Sequence, residues 1–278
     1  MATITAAEVN QLRKQTGAGM MDCKKALVEA NGDFEQAIDL LRKKGQKIAA
    51  NRGDRDAKEG LVLAKATADN KKGVMVVVNC ETDFVAKNDA FGAFVNNILD
   101  AVIENGVTTI DEAKALTYPG TTLTIADRII EEVGKIGEKI ELSAVEILES
   151  ELVVAYNHPG NSLASIVAVS KSGEAEAEAA KNVAMQVAAM NPIALNDEGV
   201  TAEMIERELE IGRDQARQEG KPEAMVEKIA QGKLGKFYKE NTLIKQQYIK
   251  DNALTVEAYL KTVNKELVAT GFKRIALG

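Results

Sequence analysis

The 278-residue chain contains no tryptophan, and all aromatic residues together make up only 4% of it. Its cores must therefore be built from Ala, Val, Leu and Ile. A single histidine, His158, leaves no imidazole pair for acid–base or metal chemistry. It falls in a turn pattern without a positioned Ser, Cys or carboxylate, so it reads as a surface or interface residue. The two cysteines, Cys23 and Cys80, are too few for a disulfide scaffold and lack metal-binding spacing. They read as small buried apolar residues of a chain kept in a reducing cytoplasm. No apolar run approaches the ~20 residues of a membrane-crossing helix. The N-terminal segment is interrupted by Glu8, Asn10, Gln11 and Arg13 and does not resemble a signal peptide. A cytoplasmic protein without membrane contact is expected. The net charge of −7 argues against broad nucleic-acid binding. The basic strip Arg42-Lys43-Lys44, Lys47, Arg52 and Arg55 reads as a solvated helix end or linker.

What remains is ordinary globular material, 45% apolar and 28% charged, long enough for two domains. Residues 1–53 read as three short helices forming a compact bundle. Thr5 is placed to cap the first, whose apolar face includes Val9 and Leu12. Thr16-Gly17-Ala18-Gly19 breaks it. The second starts near Met21 and turns Cys23, Ala26 and Leu27 inward. Asp33, after the Asn31-Gly32 turn, caps the third, in which Phe34, Ala37, Ile38 and Leu41 recur at helical spacing. A polar stretch from Asn51 to Asp56 reads as a linker.

A strand–turn–strand–helix pattern follows and then recurs. In its first occurrence Gly60 to Ala68 and Val74 to Asn79 are strands around Asp69-Asn70-Lys71-Lys72-Gly73. Helical stretches at 89–104 and 124–133 precede a third strand at 139–148. In its second occurrence Glu151 to Asn157 and Leu163 to Ser170 flank His158-Pro159-Gly160-Asn161, and a helix runs from Glu174 to Met190. Lys265 to Ala276 supplies a closing strand. Between them Thr201 to Arg217 and Glu223 to Gly235, joined at Glu219-Gly220-Lys221-Pro222, make an antiparallel helical hairpin, with Leu209 and Ile211 expected to face Met225, Val226 and Ile229. The expected class is α+β: the helical bundle, two similar antiparallel-sheet/helix halves, and an inserted hairpin. The boundaries are 1–53 for the bundle, 54–149 for the first half, 150–196 with 236–278 for the second, and 197–235 for the hairpin.

Catalytic constellations are wanting. Thr16-Gly17-Ala18-Gly19 lacks the spacing of a nucleotide loop, and neither a cofactor site nor a metal cluster emerges. The sequence points to a protein acting through surfaces. The most informative stretch is Asn79-Cys80-Glu81-Thr82-Asp83-Phe84-Val85-Ala86-Lys87, where an apolar strand from Val74 to Val78 meets a helical pattern. Two readings stand. Either Asp83 caps the helix and Phe84 packs inward, or the joint displays Phe84 to a partner pocket. Met20-Met21 likewise reads as core packing or as an adaptable contact surface.

Two motifs carry a resemblance. Leu12-Arg13-Lys14-Gln15-Thr16-Gly17-Ala18-Gly19-Met20-Met21-Asp22-Cys23-Lys24-Lys25-Ala26-Leu27 resembles the N-terminal signature of the bacterial elongation factor Ts family, and the stretch from Asn79 to Lys87 resembles its second signature. Their order and separation are those of the family, and the resemblance extends over essentially the whole chain. It implies a guanine-nucleotide exchange factor for elongation factor Tu, without covalent chemistry, cofactor or direct nucleic-acid contact. It implies that Phe84 wedges into the partner near its Mg²⁺ and nucleotide site, with Thr82, Asp83 and Val85 as neighbours. Leu12, Arg13, Met20 and Met21 would grip the same partner from the bundle, and His158 from the second half. The bundle would be of the ubiquitin-associated (UBA-like) type. The hairpin would be a coiled-coil arm, open to self-association. Three departures are visible: Val77 stands where the family usually has an acidic residue, Gln247-Tyr248 stands where a Pro-Phe pair is common, and the chain stops at Gly278, where longer members continue into a C-terminal helical module. The competing reading is a non-catalytic adaptor working through the three-helix bundle, which leaves the turn at Phe84 without a role.

Overall fold

The computed structural model describes residues 4–278. Three helices come first: α1 (Ala6–Thr16), α2 (Met20–Glu29) and α3 (Phe34–Asn51). Thr5 and Glu8 form a reciprocal capping box on α1. Asp33 caps α3 by accepting from Gln36 N. Val9, Leu12, Cys23, Ala26, Leu27 and Ala37 close a small core of their own.

The first core half is β1 (Glu59–Ala66), β2 (Lys72–Cys80), α4 (Asp83–Ala86), α5 (Asp89–Asn105), α6 (Ile110–Ala115), α7 (Ile125–Ile136) and β3 (Glu141–Glu149). The second is β4 (Leu152–Asn157), β5 (Leu163–Val169), α8 (Glu174–Met190), then α9 (Ala202–Gln218) and α10 (Glu223–Asn241), then β6 (Gln247–Tyr248), β7 (Asp251–Thr255), α11 (Val256–Val263) and β8 (Ala269–Ala276). Each half has a three-stranded antiparallel sheet, ordered β1-β2-β3 and β4-β5-β8, and β6-β7 is a separate small hairpin. The class is α+β.

The two sheets pack face to face. On β2, Val74, Val76, Val78 and Cys80 face α5 and α7, while Met75 and Val77 face the other sheet. On β5, Val167 and Val169 lie towards α8, and Ala164, Ile166 and Ala168 towards the first sheet. The middle strands are thus buried on both faces, which is why β2 reads as a continuous apolar run rather than an alternation. Val77, which departs from the acidic residue usual in the resembled family, is one of these inter-sheet side chains and is buried. Asn157 clips the sheets edge to edge: its side chain accepts from Ala64 N at 2.8 Å and donates to Ala64 O at 2.9 Å.

Three segments differ from sequence expectation. The polar stretch after Asn51 is not free. Helix α3 runs to its edge and lies against α7, with a Cβ built on Gly45 falling 2.8 Å from Ile130 O and one on Gly134 falling 3.0 Å from Gly45 Cα. Glycine at both positions allows the backbones to touch. Lys139 Nζ then donates to Gly53 O and Arg55 O. Second, α10 continues through Gly235 to Asn241, because Phe237 and Tyr238 pack beyond the glycine on the same core as Leu234. Ile211 and Met225 are exposed rather than facing one another; the seam is Leu209, Gly212 and Ala216 against Val226, Ala230 and Leu234. Residues two apart, such as Leu209 and Ile211, do not share a helix face, whereas residues three or four apart do. Third, α6, β6, β7 and α11 appear where sequence patterning assigns no element.

Candidate interaction site at the end of the second strand

Strand β2 ends at Cys80, whose side chain is buried and whose Sγ donates to Thr82 O at 3.2 Å. Burial first, and the Glu138 charge second, push this thiol up to about 12. It is a packing residue, not a nucleophile.

The next two residues are held by polar groups from distant parts of the chain. Glu81 N and Thr82 N both donate to Glu138 Oε2, at 3.1 and 3.0 Å. Thr82 Oγ1 donates to Glu138 Oε1 at 2.7 Å. The Glu81 carboxylate accepts from Lys139 N at 2.6 Å and from Arg52 Nη1 at 2.8 Å through each oxygen. The Lys139 amide first, then Arg52, hold its carboxyl below the usual range.

Thr82 is the N-cap of α4, accepting weakly from Val85 N at 3.5 Å. Helix α4 is one turn long, and Asn88 then caps α5. The cap is therefore Thr82, and Asp83 occupies the first turn, where its carboxylate suits the helix dipole. Asp83 Oδ2 accepts from Lys87 Nζ at 2.6 Å, and this hydrogen bond lowers the Asp83 pKa. Val85 and Ala86 are half-buried against the first core. Phe84 points the other way. It is 83% exposed, against 63% for Met21, the next most exposed large apolar side chain among the described residues. A phenyl ring so exposed, on a turn whose leading amides Glu81 N and Thr82 N are already held, is a group available to a partner. The inward reading of Phe84 does not hold.

The bundle divides the four residues expected to contact a partner. Met20 and Met21 are exposed at the start of α2, at 51% and 63%, and Arg13 is exposed on α1. Leu12 is not available: it is fully buried beside Cys23 and Leu27, as its place on the inner face of α1 dictates. His158 is exposed at the β4–β5 turn, with Nδ1 3.0 Å from Tyr156 Oη. Among the described residues no group of three or more His, Cys, Asp or Glu is arranged to hold a metal. None of their helices is long and apolar enough to cross a membrane. Sequence reasoning missed Glu138, Lys139 and Arg52. The only local signal was Gly137, a left-handed helix stop at φ 83° that sets Glu138 at the start of a loop.

Residues 81–278 match the family model described as Elongation factor TS, a match that begins at the turn itself. The chain is 55% identical over 278 residues to a Christiangramia forsetii protein named Elongation factor Ts, covering 100% of each. It is 54% identical over 278 residues to one of the same name from Flavobacterium psychrophilum, again covering 100% of each. A third so named, from Porphyromonas gingivalis, is 46% identical over 276 residues, covering 99% of this chain and 98% of that protein.

Proposed function

This chain belongs to the elongation factor Ts family, whose members serve translation elongation, and from that premise we propose that it releases GDP from elongation factor Tu. The observation that carries the proposal is the display of Phe84, 83% exposed, just after two amides, Glu81 N and Thr82 N, that Glu138 holds. Phe84 enters the partner near its Mg²⁺ and nucleotide site. Thr82, Asp83 and Val85 are its neighbours, Arg13, Met20 and Met21 grip from the bundle, and His158 contacts from the second half. Leu12 supports that surface from inside.

The energetics set the scale. Burying one phenyl ring contributes ~1.5–3 kcal/mol, and each ~1.4 kcal/mol removed from a dissociation barrier is tenfold in rate. Phe84 alone thus accounts for about ten- to a hundredfold. Any larger acceleration requires the other contacts to stabilise the open partner. Linkage is reciprocal: if this chain weakens nucleotide binding, nucleotide weakens binding of this chain by the same factor. Rebinding of GTP then expels the factor, which turns over without making or breaking a covalent bond and without nucleic acid.

The division into bundle, two halves and hairpin belongs to the same proposal. It is supported by the separate cores, with the hairpin taken to the end of α10 rather than to residue 235. Self-association through the hairpin would use its exposed Met204, Ile211 and Met225.

The test is release of a fluorescent GDP analogue from elongation factor Tu. Substoichiometric chain should accelerate release without consuming GTP. An unchanged release rate with folded protein would end the proposal.

A further inference from the structure

We propose that Glu138 is a positioning residue for exchange: its carboxylate holds the backbone of Glu81 and Thr82 so that Phe84 is presented in one orientation. This rests on the reading of Phe84 as the inserted side chain.

An 83% exposed ring has little of its own chain to hold it, so its direction is set by the backbone beneath. That backbone is a single helical turn of four residues, too short to hold itself. Its internal cap, Thr82 Oγ1 to Val85 N, is long at 3.5 Å. The constraint comes instead from the loop between α7 and β3. One planar carboxylate takes two successive amides on Oε2, at 3.1 and 3.0 Å, and a hydroxyl on Oε1, at 2.7 Å. Two amides sharing an oxygen orient the peptide planes of Glu81 and Thr82. The hydroxyl fixes the rotamer of Thr82. Hydrogen bonds to a charged acceptor are about twice as strong as neutral ones.

The hold is reciprocal. Glu138 takes the amides of Glu81 and Thr82, and Glu81 takes the amide of Lys139 at 2.6 Å. Two adjacent loop residues and two adjacent turn residues therefore lock each other. The lock is anchored at both ends: Gly137 ends α7 in a left-handed conformation, and Arg52, at the end of α3, holds Glu81. Val85 and Ala86 pack against the first core through their own side chains. Removing the carboxylate should free the turn while leaving the fold in place. Glutamine at this position keeps the geometry: its oxygen still accepts both amides, and its NH₂ donates to Thr82 Oγ1.

The test compares Glu138→Ala and Glu138→Gln in the full chain, with two measurements. The first is GDP release from elongation factor Tu as a function of chain concentration, separating maximal rate from half-saturation. The second is amide hydrogen exchange at Glu81 and Thr82 in the free chain. With Glu138→Ala the maximal rate is expected to fall by about tenfold or more while half-saturation moves less than about threefold, because docking surfaces elsewhere are intact. Exchange at both amides should accelerate. With Glu138→Gln the maximal rate should stay within about threefold and the amides should stay protected. If Glu138→Ala fails to fold, Glu138→Asp carries the test, since a carboxylate one methylene short cannot reach all three donors; it should show the same selective loss of maximal rate. A wild-type maximal rate in Glu138→Ala or Glu138→Asp overturns the proposal. So does an equal loss in Glu138→Gln and Glu138→Ala, or unprotected amides in the parent chain. If the parent chain releases no GDP, the exchange reading fails, and the amide pattern alone decides whether Glu138 holds the turn.

Discussion

The two halves of the core reach the same point, the exit from a middle strand towards its covering helix, and treat it differently. Each half is a three-stranded antiparallel sheet, and in each the pairing of middle and closing strands shifts register near the end of the middle strand, between Val77 and Val78 and between Ala168 and Val169. After Val169 the second half crosses to α8 through Ser170-Lys171-Ser172-Gly173, with no apolar side chain displayed. After Cys80 the first half inserts an extra helical turn and displays Phe84. In both halves the loop before the closing strand meets this joint. In the second the meeting is a surface ion pair, Lys171 to Glu266 at 2.8 Å, with side chains 43% and 76% exposed, plus hydrogen bonds between Ser170 and the loop backbone. In the first it is the clamp of Glu138, Glu81 and Arg52. The fold therefore does not require an aromatic side chain here, since one copy is built without it. Phe84 and the groups beneath it are additions to a structure that closes on its own.

The sharpest way to break this comparison is Phe84→Ala. The maximal GDP-release rate is expected to fall by about ten- to a hundredfold with almost no change in melting temperature. A buried Phe would instead cost ~3–5 kcal/mol of stability on truncation. A large drop in melting temperature would mean that the ring supports the first half as a core residue.

A second difference is that, among the described residues, the bundle packs on the first half, α3 against α7. Gly45→Leu should force α3 away from α7, because its Cβ would already lie 2.8 Å from Ile130 O. Such overpacking costs ~1–3 kcal/mol, measurable by urea denaturation. Because Arg52 ends α3, the variant should also loosen Glu81 and slow GDP release. Removing residues 1–53 should act in the same direction. Unchanged stability in both would make the bundle an appendage.

The halves also differ in titrating groups near the joint. Burial pushes Cys80 up to about 12, and the second half has no cysteine. A raised thiol pKa contributes stability that is fully present below the unfolded value of ~8.5 and is lost as pH rises towards 12. Glu81 has the opposite sign. Its carboxyl is lowered, so its contribution is present above the unfolded value of ~4.3 and is lost as pH falls through the lower folded value. Hydrogen exchange at Lys139 N should therefore accelerate in acid before the second half opens. Simultaneous opening of both halves would show that the clamp does not titrate separately.

The smallest expected effect is at the second joint. Glu266→Ala removes an exposed ion pair and should leave the urea midpoint and GDP release unchanged within error. A loss there comparable to that of Glu138→Ala would remove the contrast between the halves.

Much of this is legible in the amino-acid sequence. Turn-bounded apolar runs placed β2 and β5, period-3.6 patterns placed α5 and α8, and the repeat of strand, turn, strand and helix announced two halves. Threonine and aspartate caps placed the starts of α1 and α3. The boundary at Gly235 misled, because a glycine is a local breaker only where no tertiary contact continues the helix, and Phe237 and Tyr238 supply one. Residues 247–263 stayed opaque because their strands and helix are short, and short elements gain stability from what they pack on.

The order of residues along the chain is enough to place the Thr82-Asp83-Phe84-Val85 motif at a strand–helix joint and to show the motif's resemblance to one family. Local chemistry is enough for that, since caps, periodicity and motif spacing are properties of neighbours along the chain. Whether Phe84 faces in or out, that Leu12 is core while Met20 and Met21 are surface, and that Glu138 and Arg52 reach the turn were decided by tertiary structure alone. A side chain's exposure depends on what stands opposite it, and the partners of this turn lie 29 residues before it and 57 and 56 after it. No local pattern encodes such contacts; the docking of α3 on α7 and the closure of β3 on β2 bring them together.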